Sequence, residues 1–338
     1  MPTARRAKLK LTYDNKDISA DLAPYLLRFS YTDHASGKAD DLQISLEDRA
    51  GLWMGDWLPD KGAMLKATLV TEHWTEQGKT EELPLGVFEI DAIDGKSSPS
   101  TVNIKALSVP ESASLRGEEK TRSWEKVKLS TIARDIATNA GLALFYDTDD
   151  DPEEDRVEQT EQSDLAFLQK ICEDAGLSLK VSDQQIVIFD EEKYEAMEPV
   201  LTIKRGQSWI LDHSFSTTTR NTYAACRVEY HDPKGKKSIS YTYTAPNKPA
   251  TGKTLVINQR VGSIGKAEKL AKKKLRQQNR GETKMSFSLL GDIRLLAART
   301  VQVVGYGKFD GKYFIEEAEH TGAGYTVKID LRQVLEGY

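Results

Sequence analysis

Between residues 8 and 107 the apolar residues of this chain recur at every second position. In KLKLTY (8–13) Leu9, Leu11 and Tyr13 alternate with Lys8, Lys10 and Thr12. PYLLRFSY (24–31) repeats the alternation with Tyr25, Leu27, Phe29 and Tyr31, and DLQISLED (41–48) with Leu42, Ile44 and Leu46. MLKATLVT (64–71), LPLGVFEID (83–91) and TVNIKAL (101–107) continue it. A period of two puts one face of a strand in a core and the other in water, the pattern of antiparallel sandwiches and barrels. The connectors DNKD, ASGKAD, EQGKTEE and DGKSSPS are polar and turn-rich. Pro84 and Gly86 predict an edge position or a bulge in their strand. Residues 1–110 therefore read as a first β domain.

From about residue 124 the period changes. Ile132, Ala133, Ile136, Ala137 and Ala140 lie on one helical face, with Ser130 the expected N-cap and Gly141 the stop. Thirty-five residues later Phe167, Leu168, Ile171, Cys172 and Ala175 repeat that face, between Ser163 as cap and Gly176 as stop. Leu142 and Leu144 match Leu177 and Leu179 in the strands that follow. The unit is a weak duplication of helix and strand, and QQIVIFD (184–190) adds a strand through a turn at Ser182–Asp183. Residues 111–198 are read as a small α/β insert. Residues 199–338 return to strands: VLTIK, AACRVEYH (224–231), SISYTYT (238–244), TLVIN (254–258), KMSFSLL (284–290), TVQVVGYG (300–307), KYFIEEAEH (312–320) and GYTVKIDLRQV (324–334). One helix, KAEKLAKKKLRQQNR (266–280), interrupts them with Ala267, Leu270, Ala271 and Leu275 inward.

Composition narrows the class. Of 338 residues 39% are hydrophobic and 29% charged, with a formal net charge of −5, the balance of a soluble globular chain without general affinity for polyanions. The start, MPTARRAKLKLTYDN, carries no apolar run of the secretory kind, and no segment approaches the roughly 18 apolar residues of a membrane span. Two cysteines, Cys172 and Cys226, make no disulfide framework. Both fall on apolar faces and are expected as buried, reduced thiols, which places folding in a reducing cytoplasm.

Candidate chemistry is sparse. The acids of DTDDDPEEDRVE (147–158) superficially match a calcium loop, but Pro152 stands where that loop needs a glycine of positive φ, so a solvated acidic loop is expected. His34, His73, His213, His231 and His320 are scattered, with no HExxH and no zinc spacing. GSIGK (262–266) lacks the length of a phosphate loop, and GYGKFDG (305–311) lies between strands, where a turn is expected. The pairs Glu173–Asp174 and Glu316–Glu317 lack the separation that glycosidic acid–base work requires. Helix 266–280 carries Lys266, Lys269, Lys272, Lys273, Lys274, Arg276 and Arg280 against Glu268, without interleaved aromatics; a solvated face or a charged subunit contact is favoured over nucleic acid. The sequence assigns no catalytic, cofactor-binding or metal-binding residue, and a structural or interaction protein is the expectation.

The C-terminal run AEKLAKKKLRQQNR, followed by MSFSLLGDIRLLAARTVQVVGYGKFDGKYFIEEAEHTGAGYTVKIDL, resembles the phage late control D family of contractile-tail baseplate hubs. The hub half of type VI secretion spike proteins belongs to the same group. SDLAFLQKICEDAGLSL is similar to the family's middle segment, in which an S-D-x-x-F-L helix precedes A-G-L and a strand. Leu296-Ala297-Ala298 departs from the family's usual L-x-x-G turn. The resemblance implies an α+β, mostly β fold: two antiparallel, barrel-like domains similar to the tail-tube fold, with the α/β insert between them. It also implies a homotrimer of pseudo-sixfold symmetry joining the tail tube protein, or a tube initiator, to a central spike protein. Tape measure and other baseplate proteins are further expected partners; specific nucleic acid is not. The place implied is the baseplate of a virion or tail-like particle, assembled in the bacterial cytoplasm, and the role is not enzymatic. Two alternatives stand beside it: a tail-associated peptidoglycan hydrolase, or a polyanion-binding module on helix 266–280.

Overall fold

The computed structural model describes residues 4–109, 115–232, 237–246, 252–322 and 324–337. The alternating N-terminal block forms β1 (Arg6–Tyr13), β2 (Lys16–Asp17), the short helix α1 (Ser19–Leu22), β3 (Leu26–His34), β4 (Asp41–Glu47), β5 (Met64–Glu72), β6 (Thr80–Lys96) and β7 (Thr101–Leu107). The middle block forms β8 (Glu119–Lys128), α2 (Leu129–Asn139), β9 (Ala143–Asp147), β10 (Glu153–Ser163), α3 (Asp164–Ala175), β11 (Ser178–Ser182), β12 (Gln185–Phe189) and α4 (Glu191–Glu195). The last block forms β13 (Leu201–Lys204), β14 (Ile210–Thr217), β15 (Ala225–Asp232), β16 (Lys237–Thr244), β17 (Thr254–Asn258), α5 (Ile264–Asn279), β18 (Thr283–Leu290), β19 (Thr300–Val304), β20 (Gly311–Thr321) and β21 (Thr326–Gln333).

The mostly β, α+β class is as the sequence reads, but the strands do not close into two barrels. Thirteen of them form one sheet, ordered β14-β18-β21-β20-β3-β4-β7-β6-β5-β1-β2, with β13 and β19 branching from β20. The seam is β3 against β20, in the register His34↔Glu317 to Ser30↔Thr321. Because β3 pairs across the seam with the C-terminal half, the N-terminal strands spread onward from β4 and do not return to β3. A single core runs through both halves, from Leu11, Leu42 and Phe88 to Phe287, Val301 and Ile329. The bulge expected at Pro84–Gly86 is present: the register of β5 on β6 jumps between Ala67↔Gly86 and Thr68↔Pro84, and Gly86 has a φ of +102°. Pro84 lies in the part of β6 that pairs only with β5, so its missing N–H deprives no second neighbour.

Two smaller cores stand beside the sheet. In the first, α2 and α3 pack through Ile132, Ile136, Phe167, Leu168 and Cys172 on Leu179, Val181, Ile186 and Ile188 of the sheet β11-β12-β9. Ser163 caps α3 by accepting from the N–H of Ala166, and Gly141 and Gly176 stop the two helices with φ of +67° and +70°. Ser130 is not the cap of α2. That helix begins one residue earlier, and Asp151 supplies the cap by accepting from the Ser130 N–H and Oγ–H. The acidic stretch is also not all loop: Glu153 onward is β10, paired with β8 so that Glu153 faces Lys128 and Arg156 faces Glu125. The ion pairs of Lys120 and Arg122 with Asp164 and the stacking of Trp124 on Phe167 hold this polar ribbon. In the second small core α5 packs Ala267, Ala271 and Leu275 on Cys226 and Val228 of the separate sheet β16-β15-β17.

Candidate functional site

The residues singled out in the sequence serve the joints between these bodies. Cys172 and Cys226 are fully buried, and burial pushes their thiols up to about 12 and about 11, so neither is a thiolate at neutral pH. Glu173 and Asp174 receive α5: Lys274 Nζ donates to the Glu173 carbonyl at 3.0 Å and lies 3.7 Å from the Asp174 carboxylate. Lys273 pairs with Asp150 of the acidic stretch and donates to the Ala175 carbonyl at 3.0 Å. Gly176 leaves room for that stem, since a Cβ there would sit 2.6 Å from Lys273 Cδ. Four of the seven cations of the basic helix thus face the molecule itself, because Arg276 and Arg280 turn inward as well.

Those two arginines enter a buried charged junction that the sequence pattern gave no sign of. Arg332 of β21, only 2% exposed at its side chain, donates to Glu191 at 2.7 Å and lies 2.5 Å from Glu195. Arg280 binds Glu191 from α5 at 2.9 Å, and Arg276 binds Glu195 and, at 3.3 Å, Glu192. The short helix α4 is clamped between the large sheet and α5. Burial alone would raise the Glu191 carboxyl, but Arg332 and Arg280 outweigh it and hold the pKa below the usual range. The junction opens on a cleft of about 520 Å³ bordered by His34, Lys38, Lys284, Glu316, Glu317 and Asp330. Glu316 pairs with Lys284 at 2.8 Å, and Glu317 lies 3.8 Å from Lys38 and 3.1 Å from the His34 ring, so acids and lysines of the lining face each other. Such an arrangement joins bodies.

A second joint ties the seam to the α/β body. Lys180 of β11 binds Asp33, lies 3.1 Å from Asp40 and donates to the His34 carbonyl at 2.8 Å. Burial raises Asp40 to about 6 against the pull of Lys180. For Lys180 burial works against the ammonium, yet Asp33 and Asp40 together keep its pKa above the usual lysine range. Asp33 also accepts from the Ala297 N–H at 2.8 Å. The remaining histidine of this region, His320, is buried between Tyr325 O–H and the Leu295 carbonyl at 2.9 and 2.8 Å.

Among the described residues no group of three or more His, Cys, Asp or Glu is placed to hold a metal ion, and no helix is long and apolar enough to cross a membrane. A family model described as phage tail baseplate hub (GPD) matches residues 90–326. The chain belongs to this family. Among curated relatives, the probable baseplate hub protein of Escherichia phage 186 is 25% identical over 247 residues, 71% of this chain and 60% of that protein. The chain therefore spans about 60% of the length of that relative. Of solved structures, a tail protein from Neisseria meningitidis MC58 is similar with a TM-score of 0.73 at 13% identity, over 97% of both chains. The E. coli c3393 protein, a component of the type VI secretion system, is similar with a TM-score of 0.58 at 12% identity, over 98% of this chain and 78% of its own. At such identities the likeness concerns the fold. In the turn after Leu296, Ala298 has a φ of +60°, a conformation that costs an L-residue about 1–2 kcal/mol.

Proposed function

We propose that the chain is the structural baseplate hub of a contractile phage tail or tail-like particle, a homotrimeric, pseudo-sixfold adaptor between tail tube and central spike. The observation that carries this reading is the family match, which extends from the last strands of the N-terminal half to β21. The architecture supports it. One sheet joins an N-terminal and a C-terminal half through the β3–β20 seam, so three copies would offer six β units held in fixed relation. The α/β body, clamped to the sheet by Glu191–Arg332 and by Lys180–Asp33, is a rigid outlier suited to a different neighbour, which we assign to the spike side. The role needs no chemistry, and the self-paired charges of the cleft fit that. The inward contacts of Lys273 and Lys274 favour an internal role for the basic helix over a polyanion-binding one. The place of action is the baseplate, after assembly in the bacterial cytoplasm. Native mass spectrometry of the purified chain tests the reading: three times 37.8 kDa is expected. A monomer that also fails to join tube or spike in reconstituted particles is the opposing result.

A further inference from the structure

The two small bodies carry opposite charge. Residues 115–198, the α/β body with α4, hold 22 acids against 10 lysines and arginines. Residues 218–282, which comprise β15–β17 and α5, hold 15 lysines and arginines against 4 acids. A chain of net charge −5 thus keeps a strongly acidic and a strongly basic part side by side. They meet in one polarity. To the pairs already described for Lys273, Lys274, Arg276 and Arg280, Arg260 adds one with Asp155 at 3.2 Å. In each of these 6 ion pairs among the described residues the basic body supplies the cation and the α/β body the acid.

The basic body hangs on a narrow neck. It is inserted between the neighbouring strands β14 and β18, whose last pair is Thr217↔Thr283. The Thr218 N–H donates to the Glu282 carbonyl at 2.9 Å, and residues 217–221 are exposed. The core of this body shares no residue with the α/β core. An insertion whose ends lie together and whose core is its own behaves as a unit, and motion against its neighbour is the default where the contact is polar. Leu335, two residues beyond β21, also packs on that core, and the Gly337 carbonyl accepts from Tyr243 at 3.0 Å. Opening the joint leaves its deepest acids provided for, because Glu191 and Glu195 keep Arg332 at 2.7 and 2.5 Å while the cations of α5 pass into water. Asp155, Arg260, Asp174 and Glu192 are more than half exposed, so salt reaches their pairs. The screening length there falls from about 10 Å at about 0.1 M salt to about 3 Å at about 1 M.

We propose that residues 218–282 are a hinged module, held closed on the α/β body by an electrostatic latch of one polarity and opening about the Thr217–Thr283 neck when those charges are screened. An apolar contact would tighten or persist in salt, whereas a contact made of exposed ion pairs weakens. Opening uncovers Asp150, Asp174 and the acids of α4 on one side and the cations of α5 on the other. One movement thereby turns a joint that neutralises itself into two surfaces of opposite charge. The latch belongs to the single chain and stands whether or not the chain is a trimer.

The test places spin labels on the full chain at Thr138→Cys of α2 and Lys269→Cys of α5, both exposed positions outside the latch. Cys172 and Cys226 are buried and protonated and take no label. Pulsed electron spin resonance should find one short distance at about 0.05 M salt and a second, longer one at about 1 M, with the circular dichroism unchanged. The closed-to-open ratio is expected to fall at least about tenfold, since an exposed pair is worth roughly a factor of two and several are screened together. Lys273→Glu with Lys274→Glu should open the module already at low salt. Adding Asp150→Lys and Asp174→Lys to that chain reverses both sides and should restore the short distance, which a merely disturbed fold would not do. A single short distance at high salt and in the reversed variant would overturn the latch, as would a reversed variant that stays open once its acids are exchanged too. If the reversed chain fails to fold, the salt titration of the labelled chain decides alone, and a distance indifferent to salt rejects the proposal.

Discussion

His320 is neutral because burial lowers its pKa below the ordinary 6.5, although the Leu295 carbonyl and the nearby Asp33 and Asp292 favour the charged ring. In the unfolded chain the same imidazole titrates near 6.5. Between that value and the lower folded one the unfolded state binds more protons, so the contribution is complete above pH 6.5 and declines as the pH falls. We expect wild-type stability, from urea unfolding, to drop between pH 7.5 and 5.5 by up to about 1.4 kcal/mol per unit through this group. His320→Gln should flatten the slope. Of the residual slope, His34, whose pKa burial also lowers, contributes with the same sign, and Asp40, raised to about 6 in the fold, with the opposite one. Identical slopes in wild type and variant would refute the assignment. Arg332 is a different case. Its guanidinium also covers the Phe314 ring at 4.4 Å, and its partners Glu191 and Glu195 are themselves buried, so its neighbours depend on it more than it stabilises them.

The two helix–strand copies differ in what their stop glycines meet. Gly141 has nothing within 4 Å of a built Cβ, whereas Gly176 would meet the Lys273 stem at 2.6 Å. Gly141→Ala should therefore cost only the left-handed strain, about 1–2 kcal/mol, and Gly176→Ala should cost more because α5 must also shift. Paired denaturation midpoints check the order, and equal losses would mean that Lys273 swings away freely. This asymmetry was invisible in the sequence, where both stops read alike. What was legible were elements with a one-sided burial pattern, such as Leu42, Ile44 and Leu46 of β4 or Phe167, Leu168 and Cys172 of α3. The ribbon β8–β10 was missed because its apolar anchors are few, chiefly Trp124, Val127 and Val157. β14 was missed because every residue after Ile210 is exposed and no alternation marks it. The charged junction was hidden for another reason: Glu191, Arg280 and Arg332 are far apart in sequence, and only the folded chain makes them one object.

At the scale of the molecule, the β3–β20 seam makes the two β halves one cooperative body with one core. A fragment of residues 4–109 keeps its strands but leaves β3 open where β20 belongs. We expect it to associate or to melt without a sharp transition in circular dichroism and size measurements, while the full chain melts the sheet as a unit. A monodisperse fragment with a cooperative melt would show that the N-terminal half is self-sufficient. The seam also sets a clock. His34 pairs with Glu317, so nearly the whole chain must be synthesised before β3 meets its neighbour. At about 10 residues per second, within the usual range of synthesis, the interval is roughly half a minute. During it Leu42, Ile44 and Leu46 can collapse with their own half, but the β3 edge stays a bare template for any other nascent strand. Yield in the cell should thus be governed less by the stability of the finished fold than by how that one edge is shielded while the ribosome works.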